Sequence, residues 1–317
     1  MDNSFYKVIV LLSTYNGAMY LREQLDSILN QKDVEVHLLV RDDGSKDSTC
    51  KILEEYSAKC DNIEWISESN VGFVKSFSSL VRWAYNHPNK ADFYAFADQD
   101  DMWFPEKLLN ACQALGSKDS SKPLLFTCNS IQIDAVGNEL GLFHEGTSPV
   151  YRRGNVLVYG TEQGCSMTFN WKALEIYAAH EPQLTWHDRW MYHICYYLGD
   201  VVYEHQPLFY YRIHGGNTLA NTNRHSIVNK RNRIVNAFLF YLCSPPFTRH
   251  QEMAKEFFDC FGSLLSERDR FLFTIYINYK KNILSKFRMC FSEEFCYPFI
   301  TNDKKYPFRR FTLFNLL

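Results

Sequence analysis

Four apolar runs, each broken by a polar turn and followed by an amphipathic stretch, constrain the first hundred residues more than any other feature. Tyr6–Ser13 (YKVIVLLS) is a continuous apolar run ending at Thr14-Tyr15-Asn16-Gly17, the pattern of a strand buried on both faces. Leu21, Leu25, Ile28 and Leu29 then recur with helical spacing. The same order returns in Val36–Val40 before Asp42-Asp43-Gly44-Ser45, with Asp47 or Ser48 placed to cap a helix carrying Ile52, Leu53 and Tyr56. Ile63–Ile66 leads to Asn70-Val71-Gly72 and a helix through Phe73, Phe77, Leu80, Val81 and Ala84, and Asp92–Ala97 leads to Asp98-Gln99-Asp100-Asp101. Four such alternations predict a parallel α/β sheet covered by helices.

Beyond Asp101 the regularity weakens. Pro105 suits the first turn of a helix through Leu108, Leu109 and Leu115, and Leu124–Cys128 reads as another strand. A helix from about Asp188 to Leu198 precedes a short strand at Val201–Tyr203 and an aromatic segment at Leu208–Tyr211, and from Ser226 the pattern is helical, interrupted at Pro245-Pro246.

Net charge is −2 over 317 residues, which excludes a strong field for gathering nucleic acid. That neutrality hides an asymmetry: 17 basic against 27 acidic residues through Asp200, then 17 against 9 after it. Val8–Leu12 is too short for the apolar core of an export signal, and no run approaches the ~20 residues of a membrane span. The ten cysteines show no C-x-x-C spacing. These features predict a cytoplasmic protein with reduced, mostly buried thiols. The loops G-x-x-x-x-G-K-[ST], H-E-x-x-H and a post-strand G-x-G-x-x-G are all missing from the sequence.

In open parallel sheets ligands collect beyond the carboxyl ends of the strands, and three of those ends are unusually polar here. Asp98-Gln99-Asp100-Asp101 puts three carboxylates within four residues of a buried strand. Neighbouring carboxylates repel, and a divalent cation relieves that repulsion. An acidic turn capping the Pro105 helix is the plain structural alternative.

Taken in order, Leu12–Gly17, Asp42–Ser45, Asn70–Gly72, Asp98–Trp103, Gly164-Cys165-Ser166-Met167, His187-Asp188-Arg189-Trp190 and Tyr211–Thr218 resemble the motifs of family 2 glycosyltransferases with the GT-A fold. The later motifs look most like bacterial enzymes that build rhamnose-containing cell-surface polysaccharides. The resemblance implies an α/β GT-A catalytic domain over residues 1–222 and a mostly helical, basic and aromatic region over 223–317. It implies a nucleotide-diphosphate sugar held by Ser13, Thr14, Tyr15, Asn16, Asp43, Asn70, Gly72, Asp98, Gln99 and Arg212, with Thr14, Tyr15 and Asp43 at the base. Mn²⁺ or Mg²⁺ would sit at Asp100 with His214, and Asp188 would be the catalytic base, plain helix capping being its structural alternative. Asp101, Trp103, His187, Arg189 and Trp190 would face the acceptor, although buried aromatic core explains the tryptophans equally well.

The activity that the resemblance implies is that of a metal-dependent inverting sugar transferase. Subgroup likeness favours dTDP-L-rhamnose as donor, then UDP-galactose or UDP-glucose, with a lipid-linked saccharide as acceptor. A sugar-nucleotide nucleotidyltransferase and a glycan-binding protein without turnover are the alternatives; the first should carry a basic glycine-rich loop after the first strand, yet Ser13–Tyr20 holds no Lys or Arg. Between Phe271 and Leu317, basic residues alternate with aromatic ones. That pattern suits the inner face of an anionic membrane, or a packed helical region or homodimer.

Overall fold

The computed structural model describes residues 5–145, 150–158, 162–215 and 246–295. By internal contacts the chain divides into one unit of Met1–Glu145 with Thr161–Ile213, and a second of Gly146–Gly160 with His214–Leu317. The expected boundary at 222/223 falls outside the described residues.

In the first unit, β1 (Tyr6–Thr14), β2 (Val34–Asp42), β3 (Ile63–Ser67) and β4 (Phe93–Ala97) form the parallel half of a sheet. The run Val8–Leu12 is at most 3% exposed and all five residues of β4 are buried, which is why these strands read as unbroken apolar runs. Helices α1 (Leu21–Leu29), α2 (Thr49–Ser57) and α3 (Phe73–Asn86) follow β1, β2 and β3. Each turns its predicted stripe inward: Leu21, Leu25 and Ile28 on α1, Ile52 and Leu53 on α2, Phe77, Leu80, Val81 and Ala84 on α3. Asp47 acts as the expected start signal of α2, accepting from the Thr49 N–H at 3.0 Å.

The sheet continues as β3-β2-β1-β4-β8-β6-β9-β5, with β7 (Glu139–Leu142) on β6. Here β5 is Met102–Trp103, β6 Leu124–Ile133, β8 Thr168–Asn170 and β9 Asp200–Arg212. Antiparallel β8 is wedged between β4 and β6, and helices α4 (Lys107–Gly116), α6 (Trp171–Ala179) and α7 (His187–Leu198) complete the unit.

Strands β5, β7 and β8 lie outside the runs that the sequence predicts, and two of the predicted segments merge. Val201–Tyr203 and Leu208–Tyr211 belong to a single strand, β9. Its parallel pairing with β6 shifts register around Asn129, opposite Pro207. Proline has no N–H for the ladder, so the strand survives there as an irregularity that sequence periodicity reads as a break.

In the second unit, α5 (Asn155–Val158), α8 (Pro246–Phe261), α9 (Glu267–Asn278) and α10 (Ile283–Phe291) enclose Phe257, Phe261, Phe273, Tyr276 and Phe295. Asp269, wholly buried, ion-pairs with Arg153 at 2.5 Å. Some of the C-terminal rings are therefore helical core. Others are not: Phe271, Phe287 and Phe291 are about half exposed, as are Ile283 and Leu284. Lys304, Lys305, Arg309, Arg310 and the aromatics from Tyr297 onward lie outside the described residues. Among the described residues, four cysteines are buried and the seven described are free thiols, and no helix is long and apolar enough to cross a membrane.

Candidate active site

Parallel pairing brings three strand ends to one edge, since Thr14 lies opposite Asp42 and Leu12 opposite Ala97. Asp42 holds that edge together. Its wholly buried carboxylate accepts from the Gly44 and Ser45 amides and from the hydroxyls of Ser67 (2.8 Å), Thr14 (3.2 Å) and Ser45. Burial pushes this acid up, but the hydrogen bonds from Ser45 and Ser67 outweigh it and keep the carboxyl below its usual range. Asp43, 2% exposed, pairs with Arg41 at 2.6 Å and accepts from the Val71 and Gly72 amides at 2.9 Å. It thereby fixes the turn before α3, where Gly72 takes φ +83°, a conformation that a side chain would strain.

Around this frame the β1 loop stays open. Asn16 accepts from Lys46 N–H (2.7 Å) and donates its own amide to Ser45 (2.8 Å), tying the β1 and β2 loops. Gln99 does the same for the β1 and β4 loops, accepting from Tyr15 N–H at 2.8 Å and donating to Tyr15 C=O at 3.1 Å. Tyr15 itself is 48% exposed, its ring open to stacking on a flat ligand, whereas Thr14 is buried and spent on Asp42. Ser13 shares a 2.6 Å hydrogen bond with Ser76, and Asn70 is exposed.

The acidic loop after β4 is where charge accumulates. Ligand atoms of Asp98, Asp101 and Cys165 lie within 4.8 Å of one another, and Asp100 borders them at 8% exposed. Asp98 is pushed up to about 7, first by burial, then by the charges of Asp100 and Asp188. Asp101 is raised well above its ordinary value, again by burial and then by Asp100 and Asp98. Its Oδ1 accepts the Arg212 N–H at 3.1 Å, while Oδ2 is buried without a hydrogen bond. Mutually repelling carboxylates around a buried, unsatisfied oxygen fit a divalent cation. The oxygens suit Mg²⁺ or Mn²⁺, and the softer Cys165 sulfur favours Mn²⁺ of the two.

Asp188 approaches this cluster from α7, since its charge is one of those that lift Asp98. The backbone allows it: a Cβ on Gly164 would meet Asp188 Cβ at 3.2 Å and His187 Nε2 at 2.8 Å, so only glycine there lets the start of α7 lie against the Gly164–Ser166 turn. The N-cap of α7 is Trp186, and Asp188 sits half-buried inside the first turn. Its Oδ1 accepts the Arg189 N–H at 2.6 Å, a first-turn contact that stands beside the catalytic reading.

Several acceptor assignments are corrected by burial. Asp101 is wholly enclosed in the acidic cluster. Trp103, 4% exposed, lies beneath the Lys107 ammonium at 3.7 Å, and Trp190, wholly buried, donates to the His180 carbonyl at 2.8 Å; both are core. His187 stacks on Phe77 at 3.7 Å with Phe96 edge-on, and burial drops its imidazole to about 4, so it is a neutral packing ring. Arg189 is also buried. Arg212 is 3% exposed, with its guanidinium on Glu23 (2.6 Å), the Asp100 carbonyl (3.0 Å) and the Tyr20 ring. In place of the diphosphate contact, this geometry has Arg212 brace the acidic loop. His214 is half-buried and belongs to the second unit.

Two groups escape a reading of the sequence. Lys107, wholly buried with its amine unbonded, has its pKa lowered by desolvation, and Cys165 and Asp101 are among the groups acting on it. A lysine in a helix's first turn gives no sequence signal of burial. Cys165 is visible there only as one letter of a longer motif.

Residues 9–122 match the model of glycosyl transferase family 2. That match covers the β1–α4 segment, which is similar to glycosyl transferase family 2, and the fold of the described residues is of the GT-A kind. Among its relatives is the dTDP-rhamnosyl transferase RfbG of Shigella flexneri, 36% identical over 107 residues, covering 33% of this chain and 36% of that one. The chain spans about a third to two-thirds of the length of the first curated relatives it matches. Among solved structures, S. aureus TarS 1–349 aligns with a TM-score of 0.54 at 17% identity, over 91% of this chain and 76% of that one. GalNAc-T7 with UDP, GalNAc and Mn²⁺ aligns at 0.51 and 11% identity, over 67% of this chain and 45% of that one.

Proposed function

We propose that this chain is an inverting, divalent-metal-dependent transferase that moves a sugar from a nucleoside diphosphate to a saccharide hydroxyl. The observation that carries the reading is the convergence of Asp188, on α7, with the acidic loop after β4, two segments 87 residues or more apart in sequence. Asp188 accepts the proton of the acceptor hydroxyl as its oxygen bonds to the anomeric carbon. On the opposite side of that carbon the bond to the diphosphate breaks, and the nucleoside diphosphate leaves with the electron pair. Asp98, Asp100 and Asp101 would hold the cation, which supplies charge neutralisation for the leaving diphosphate. Arg212 keeps the loop in register, and the exposed Tyr15 ring receives the base beside Asp43.

The kinship with RfbG supports dTDP-L-rhamnose as the first donor to try, with UDP-galactose and UDP-glucose next. Mn²⁺ bound in GalNAc-T7, together with Cys165 beside the carboxylates here, supports Mn²⁺ as the first metal. The half-exposed stripe of Ile283, Leu284, Phe287 and Phe291, flanked by Lys280, Lys281, Lys286 and Arg288, supports a lipid-linked acceptor reached at an anionic membrane. Paired Phe287→Ser and Phe291→Ser substitutions should then release the protein from anionic vesicles, and undiminished sedimentation with them would remove the membrane from the proposal.

The central test is Asp188→Asn. Transfer of labelled sugar should be lost while donor binding in the presence of Mn²⁺ persists. Equal loss of both would make Asp188 a structural residue, and transfer at the parental rate would end its role as base.

A further inference from the structure

At the other end of β2, three side chains with no part in sugar transfer meet at one point. His37 on β2, Glu64 on β3 and His87, just past α3, are separated by 27 and 23 residues in sequence. His37 Nε2 lies 2.8 Å from Glu64 Oε1, His87 Nε2 lies 3.0 Å from the same oxygen, and all three donor atoms fall within 4.8 Å of one another. The two imidazoles are tilted at 45° with centroids 5.3 Å apart, so they converge without stacking.

Both rings address a single carboxylate oxygen, so Glu64 Oε1 is the point on which the two imidazoles converge. The Asn89 backbone holds the His87 ring from its other side, with Nδ1 2.9 Å from the Asn89 carbonyl and 3.3 Å from the Asn89 N–H, and His87 is only 4% exposed.

We propose that His37, Glu64 and His87 form a binding site for a divalent transition metal of the Zn²⁺ class, separate from the acidic loop. Two imidazole nitrogens and one carboxylate oxygen are a borderline-soft donor set with a fourth position left for water. Bonds of about 2.0–2.1 Å in a tetrahedron put neighbouring ligand atoms about 3.3 Å apart, close to the 2.8 and 3.0 Å of the two histidine–carboxylate pairs here. With His87 Nε2 on a metal, Nδ1 would carry the proton and donate it to the Asn89 carbonyl, the outer contact that orients a ligating histidine. Access is open: His37 and Glu64 side chains are 28% and 44% exposed, and His37 and His87 line a cleft of about 410 Å³. Two lysines also line that cleft, but Lys7 is paired with Glu35 at 3.4 Å and the Lys90 ammonium lies over the Trp171 ring at 4.3 Å. A bound ion would tie edge strand β3 and the α3–β4 turn to β2.

The experiment uses the full chain, stripped of metal and held in excess Mg²⁺, with Zn²⁺ or Co²⁺ as the probe. Titration should give a Zn²⁺ equivalent that raises the melting temperature and is lost in His37→Gln and in His87→Gln. Each loss should exceed the roughly 10–100-fold that changes outside the ligand shell produce. Co²⁺ should give the intense visible absorption of a four-coordinate site in the parent and not in His37→Gln. Unchanged Zn²⁺ stoichiometry and affinity in His37→Gln would overturn the proposal, as would a parent whose melting temperature ignores Zn²⁺. If His87→Gln fails to fold, the more exposed His37 decides alone. Sugar transfer by His37→Gln in Mn²⁺ should match the parent, which keeps this result independent of the catalytic reading.

Discussion

The two ends of β2 carry similar chemistry arranged to opposite effect. At the carboxyl end, Arg41 is matched to Asp43 and Glu68, while the neighbouring β4 loop gathers acids that raise one another's pKa beside Lys107, itself desolvated and unbonded. At the amino end, one acid stands between two histidines, and its pKa falls. Carboxylates that repel destabilise the fold unless something binds, whereas a carboxylate between imidazoles stabilises it even when empty. The cation proposed for the sheet's amino end would thus reinforce an arrangement already favourable, while the one proposed for its carboxyl end would relieve a repulsion.

That contrast can be broken at its strongest point first. Asp188→Asn should lower kcat by about 10²–10⁴-fold, the range of a removed general base, with donor affinity within a factor of two or so. Next in size, Asp100→Ala should abolish the dependence on added Mn²⁺ together with most donor binding, and an unchanged Mn²⁺ titration would strip Asp100 of that part.

A third prediction concerns pH. Asp98 titrates near 7 when folded and near 4 when unfolded, so between those values the folded chain binds the extra proton. Stability in EDTA should therefore fall as pH rises from about 4 to about 7, and Asp98→Asn should flatten the curve. A melting temperature rising over that interval in EDTA, and unaltered by Asp98→Asn, would contradict the shift. Smallest is Tyr15→Ala, which should weaken donor binding about tenfold, consistent with ~1–3 kcal/mol for stacking a base on an aromatic ring. Donor affinity unchanged by that substitution, measured by calorimetry, would place the base elsewhere.

The βα half of the fold was readable because strands buried on both faces need no partner to be recognised: Val8–Leu12 and Phe93–Ala97 are apolar throughout, and their polar ends mark the ligand edge. The place of Asp43 was half legible, since its position at a strand end is local but its bond to Arg41 and its hold on the Val71 and Gly72 amides are not. What failed was anything decided by distant neighbours. A tryptophan that stacks on sugar and one that fills a core look alike in sequence, and Trp103 and Trp190 proved to be the second kind. Pro207 hid a continuous strand because a proline reads locally as a break, whereas β9 is carried across it by pairing with β6, far away in the chain. The His37–Glu64–His87 meeting was invisible for the same reason, each residue an ordinary member of its own element.

Gln99 couples two loops that would otherwise move separately. By mating with both the N–H and the C=O of Tyr15, this amide behaves as a one-residue strand added between the β1 and β4 loops, so neither loop can shift without the other. Asp98 and Asp100 flank it. On the proposed reading, the aromatic ring offered to the nucleobase and the carboxylates offered to the diphosphate are thereby parts of one lever, and whatever seats one end of the donor would position the other.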